Sequence, residues 1–115
     1  MSITMNTLSD SAIEESTFIV IVTFTDEDGV ATVPKTLTWT LTDVNGTVIN
    51  DKEDEVVSVP AAVSNIVLSG DDLAISGVRS VSRIFTVEGT YDSSLGEDLP
   101  FVESIRFTIK NLRVV

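Results

Sequence analysis

An all-β fold of two packed layers is predicted by three features of the sequence. No stretch repeats apolar residues at helical spacing, Val, Ile, Thr and Phe gather in short runs, and Gly, Asn and Asp punctuate those runs. At 115 residues the chain has the size of one domain and can bury roughly two-thirds of the surface its unfolded form exposes, so one core is expected. It contains no cysteine, so packing and backbone pairing alone must hold the fold.

Residues 1–15 are mixed and polar and could form an arm, a first edge strand or a helical turn, which leaves 16–115 as the sandwich domain. Thr17 to Thr25 is the first sure strand: Phe18, Val20, Val22 and Phe24 share one face and belong to the core. Its other face carries Thr17, Ile19, Ile21 and Thr23, and a two-layer sandwich leaves those isoleucines in water unless the N-terminal arm or another subunit covers them. The run is uncharged, β-prone and free of proline, with Glu14, Glu15, Asp26, Glu27 and Asp28 flanking it as gatekeepers against aggregation. Thr17, Ile19, Ile21 and Thr23 are therefore the candidate interface.

Lys35 to Thr42 alternates strictly, with Leu37, Trp39 and Leu41 inward and Thr36, Thr38, Thr40 and Thr42 outward, the pattern of a strand with one wet face. Asp43-Val44-Asn45-Gly46 supplies residues that tolerate positive φ, and Thr47-Val48-Ile49 resumes extended structure, so a hairpin turn is expected. The acidic run 51–55 reads as a solvated loop, and Pro60 ends the following Val56-Val57-Ser58-Val59 or confines it to a sheet edge. Val63 to Leu68 is another strand, broken by Ser69-Gly70-Asp71-Asp72, after which Leu73 and Ile75 return to the core. Arg79 to Tyr91 is a long strand with a bulge expected at Gly89, and the loop 92–98 leads to a last strand from Phe101 to Val115. On that strand Ile105, Phe107 and Ile109 face in, and the shift to Leu112 and Val114 predicts a further bulge. About seven antiparallel strands at spacings of about ten residues, with Trp39 on an early-middle one, outline an immunoglobulin-like β-sandwich; a small β-barrel is the main rival.

Charge narrows the partners. Residues 1–72 hold 13 acidic and 2 basic side chains, while residues 73–115 hold 5 of each, so the whole net charge of −11 lies in the first part. Such a field repels phosphate backbones, which argues against nucleic acid and favours a basic protein surface, or serves only to keep the domain soluble. The first residues lack a basic segment followed by an apolar one, and no apolar run is long enough for a membrane span, so no membrane association is expected and synthesis in the cytoplasm is.

With neither histidine nor cysteine, Ser-His-Asp triads, thiol nucleophiles and the usual zinc sites are excluded. Asp71/Asp72 and Glu97/Asp98 are neighbours in loops, where adjacent side chains diverge, so neither pair is expected to act as an acid and base. Asp26-Glu27-Asp28-Gly29 starts like a calcium loop but lacks the later carboxylates, and a turn is the better reading. Asn45-Gly46-Thr47 matches a glycosylation pattern and is read as a turn. Arg106, Lys110 and Arg113 alternate with core positions and look like a solvated sheet face. No catalytic residue, cofactor or metal is expected.

Three segments, 39–49 (WTLTDVNGTVI), 66–73 (IVLSGDDL) and 87–92 (VEGTYD), resemble small Ig-like structural proteins of tailed bacteriophages, a likeness spanning roughly residues 17–112. That resemblance implies a non-enzymatic virion protein, made in the host cytoplasm, that decorates the capsid or joins the neck or tail through contacts with other virion proteins, with homo-oligomers possible. The family has no catalytic residues to carry over. The alternative is a soluble Ig-like binding module for carbohydrate or for a peptide strand added at a free sheet edge. The single Trp and single Tyr fall on core faces, which leaves few aromatic platforms for sugars.

Overall fold

The computed structural model describes residues 1–75 and 77–111. They form eight strands: β1 (Ser2–Thr7), β2 (Ala12–Ile13), β3 (Thr17–Thr25), β4 (Thr36–Thr42), β5 (Glu55–Val56), β6 (Val63–Ser69), β7 (Ser80–Ser93) and β8 (Gly96–Lys110), with a 3-10 turn at Gly70–Leu73. Two sheets result, a three-stranded one in the order β1-β3-β6 and a five-stranded one in the order β2-β8-β7-β4-β5. The β2–β8 pairing is parallel and all others are antiparallel. Among the described residues no helix is long and apolar enough to cross a membrane.

The strand count exceeds the expected seven because the polar N-terminal stretch is itself structured. Ile3 and Met5 alternate with exposed Ser2, Thr4 and Asn6, a period of two that lays β1 beside β3 with Ile3 opposite Phe24 and Met5 opposite Val22. Both apolar side chains pack against the core. Ala12 and Ile13 then switch sheets and pair with Ile109 and Lys110.

The core lies where β3 crosses β8. Phe18 stacks on Phe107 with ring centroids 4.8 Å apart, and Phe24 meets Phe101 edge-on at 5.4 Å. Val20, Val22, Leu37, Leu41, Leu68, Phe85, Val87 and Ile109 fill the space between, all fully buried. Trp39 is half-buried and leans on Phe85 at 5.5 Å. Leu73 returns to the core as expected, carried by the 3-10 turn, and Ile75 packs behind it.

Three local expectations change. Val56-Val57-Ser58-Val59 contributes only Val56 to the two-residue edge strand β5, Glu55–Val56; Val57 adds one further bond, its N–H donating to the Leu37 carbonyl on β4 at 2.9 Å, before the chain leaves the sheet. The irregularity expected at Gly89 falls instead between Tyr91 and Ser93. Gly89 stays in register between Leu37 and Phe101, and its missing side chain is needed for contact: a Cβ there would overlap the Thr36 carbonyl and press on the Phe101 ring. The expected 92–98 loop shrinks to a tight turn at Ser94-Leu95, so β8 begins at Gly96 rather than at Phe101. The bulge expected at Leu112 and Val114 lies outside the described residues.

Candidate functional site

On β3 the side chains of Phe18, Val20, Val22 and Phe24 enter the core, so Thr17, Ile19, Ile21 and Thr23 must point out of the sandwich. The four expected interface residues therefore lie together in one line. Register supplies their neighbours: Ile19 stands opposite Val67, Ile21 between Asn6 and Asn65, and Thr23 between Thr4 and Val63. Leu8, just past β1, donates its N–H to the Ile19 carbonyl at 3.4 Å.

Ile19 and Ile21 are half-buried by their flanking strands, whereas Leu8, Val63 and Val67 are 66%, 55% and 52% exposed. The N-terminal stretch does not fold across this face. It runs alongside β3 as the next strand of the same sheet, and so widens the face instead of covering it. No Asp, Glu, Lys or Arg lies on β1, β3 or β6, although 22% of the chain is charged. The outer face of the other sheet is different in kind, bearing Glu88, Arg106 and Lys110 among its threonines.

The acidic side chains weighed as chemistry have structural tasks. Asp26 accepts the N–H groups of Asp28 and Val30 at 2.9 and 3.0 Å, which makes 26–30 a self-capped turn. Asp43 does the same for Asn45 and Thr47, at 2.8 and 3.0 Å. Those two backbone bonds, Thr47 first, hold the Asp43 carboxyl below its ordinary value. Asp72 is buried and accepts the Asn50 amide and the Ser69 N–H, while neighbouring Asp71 is exposed. Asp98 pairs with Lys35 at 2.7 Å, and that contact, with the nearby Asp92 charge, raises the lysine above its usual value.

One juxtaposition escaped the sequence. Asp54, in the acidic loop, reaches Glu88 on β7, and the shared hydrogen bond raises the Glu88 carboxyl above the usual range. The two residues are 34 positions apart and meet only because β4, β5 and β7 stand side by side. Both side chains are exposed. Among the described residues, no three His, Cys, Asp or Glu side chains form a group able to hold a metal ion.

Aromatic side chains offer no outward platform. Tyr91 and all five phenylalanines are buried in the core, and Trp39, half-buried, turns its ring onto Phe85. No family model matches the chain, and neither the curated proteins nor the solved structures include a match to it.

Proposed function

We propose that this chain is a non-enzymatic structural protein of a tailed-phage virion, a capsid decoration or a neck or tail accessory, that docks through the outer face of its three-stranded sheet. One observation carries the reading. Ile19, Ile21, Val63, Val67 and Leu8 form an apolar stripe on a sheet face without a single charged side chain, in a chain of net charge −11. Interface centres are depleted in charge, whereas a face built only to stay in water is usually studded with it.

The finer, immunoglobulin-like reading of the sandwich is supported by strand order. The first, third and sixth strands form one sheet, and the fourth, seventh and eighth lie centrally in the other, with connections passing between layers. Sugar binding is the weaker alternative because it calls for outward aromatic rings, and here they are turned inward.

Incorporation into particles tests the reading. Ile19→Lys and Ile21→Lys place charges on the stripe without touching the core, so each variant keeps the parent melting temperature to within a few degrees. Virions assembled with the parent chain carry it after gradient purification; virions assembled with either variant do not. Equal incorporation of parent and variants, or none of the parent, refutes the proposal.

A further inference from the structure

The backbone of β6 forms an open sheet edge whose chemistry fits a second copy of the same strand. Among the described residues β6 pairs with β3 on one side and with no strand on the other. At its two ends the Phe24 N–H donates to the Ala62 carbonyl at 2.8 Å and the Gly70 N–H to the Ser16 carbonyl at 3.1 Å. Hydrogen-bonded positions alternate along an antiparallel strand. Ser64, Ile66 and Leu68 therefore aim their backbone groups at β3, while Val63, Asn65, Val67 and Ser69 aim theirs outward.

These outward groups are capped at both ends of the strand and left open between. Ser69 donates its N–H to Asp72 Oδ2 at 3.2 Å. At the other end the Ser64 hydroxyl accepts the Ala61 N–H at 3.2 Å and donates to the Ala61 carbonyl at 3.1 Å. Between them, the N–H and carbonyl groups of Val63, Asn65 and Val67 have no partner among the described residues, and all three side chains are exposed. The stretch holds neither charge nor proline, the devices that keep sheet edges from joining. Other edges are guarded. β2 and β5 are two residues long and stand beside acids, Glu14 and Glu15 after the first and Asp54 and Glu55 at the second. β1 runs directly into the crossover to the opposite sheet and comes close to β8.

We propose that two copies of this chain join antiparallel along β6, with the twofold axis at Asn65, so that their three-stranded sheets become one. Asn65 then faces Asn65 of the partner subunit and Val63 faces Val67 of the partner subunit, and each pair exchanges both N–H···O bonds. On the outer face the valines meet across the strands, and the two asparagine amides lie together. Charge selects a second copy over a foreign strand. Across a twofold axis any charged side chain close to the axis meets its like, and β6 carries none in a chain of net charge −11. A basic partner, which that net charge would attract, finds no acid on this strand. The contact goes beyond the docking face: it uses the sheet edge, and it holds or fails on the isolated chain with no virion protein present.

Analytical ultracentrifugation of the isolated chain provides the first test, and a reversible, concentration-dependent dimer is expected. Asn65→Pro removes the N–H at the axis without touching a bond to β3, and weakens dimerisation at least about tenfold. Cysteine substitution reads the register, since the chain has no cysteine of its own. In the dimer the two Cα atoms of residue 65 lie about 5.5 Å apart, within disulfide reach, whereas those of residue 67 lie more than about 13 Å apart. Asn65→Cys therefore oxidises to a covalent dimer, and Val67→Cys does not under the same mild oxidation. This pair decides the matter even where the proline variant fails to fold. A parent that stays monomeric at every concentration overturns the proposal, as does a dimer undiminished in a folded Asn65→Pro variant. Linkage through Ile21→Cys instead of Asn65→Cys marks stacking of the flat faces, and overturns it as well.

Discussion

Tyr91 shows how a single residue ties distant parts of the chain together. Its hydroxyl donates to Glu27 Oε1 at 2.6 Å, and the N-terminal amine stands 3.7 Å from the same oxygen, so the β3–β4 connection is fastened to both β7 and β1. The hydrogen bond lowers the Glu27 carboxyl below its ordinary value and, by the same bond, raises the Tyr91 phenol above its own. The folded state thus holds the phenolic proton more tightly than the unfolded one. This stabilisation is full below the usual phenol value of about 10 and is lost as pH rises through the raised one. For Glu27 the sense is opposite: its contribution is present above the usual carboxyl value of about 4.3 and fades as pH falls through the lowered one. Because the chain has one tyrosine, its ultraviolet titration reads this contact directly. The midpoint lies above that of free tyrosine, and Glu27→Gln brings it down; a parent midpoint at the free value contradicts the assignment. The sequence identified 26–29 as a turn, which Asp26 indeed caps, but a partner 64 residues away could not be read without the strand register.

At the scale of elements, alternation is what made strands legible. β3, β4 and β6 have nearly the bounds and faces that period-two patterning predicts, since each has one dry and one wetter side. The break after β6 was equally visible in Ser69-Gly70-Asp71-Asp72, but the task of Asp72 was not. Its two oxygens accept the Ser69 N–H that closes β6, at 3.2 Å, and the Asn50 amide from the β4–β5 connection, at 2.9 Å. Asp72→Ala removes both acceptors from a buried position and is expected to cost about 2 kcal/mol, measured by urea denaturation. Asp72→Asn keeps one acceptor oxygen and loses less. Equal stability of the alanine variant and the parent would show that solvent satisfies these donors. β5 shows the opposite failure of reading: Val57 and Val59 look like strand residues, yet composition could not reveal that the ladder with β4 ends at Val56, with one last bond from the Val57 N–H to the Leu37 carbonyl.

The whole molecule is elongated, 52 × 23 × 22 Å, with a radius of gyration of 15.1 Å where a compact chain of this size has about 13 Å. Length comes from the β7–β8 hairpin, whose strands of 14 and 15 residues run the long axis. Its tip gathers Asp92, Glu97 and Asp98, and the neighbouring 26–28 turn adds three more acids, with Lys35 and the N-terminal amine as the nearby cations. Concentrated like charge opposes compaction, so screening should help. Raising sodium chloride at fixed pH is expected to lift the melting temperature by a few degrees, followed by circular dichroism. A fall would mean that ion pairs such as Lys35–Asp98 contribute more than the repulsion does.

What the sequence determined by itself is the β class, the single core and the identity of its inward faces, because these follow from side-chain period and hydrophobicity, which are local properties. Thr17, Ile19, Ile21 and Thr23 could be placed outside for the same reason. Tertiary structure alone decided that β1 joins the sheet edge and leaves that face open, that Asp54 meets Glu88, and that Tyr91 reaches Glu27. Each of these depends on which strands become neighbours and in what register, a choice made by long-range pairing that no local pattern encodes.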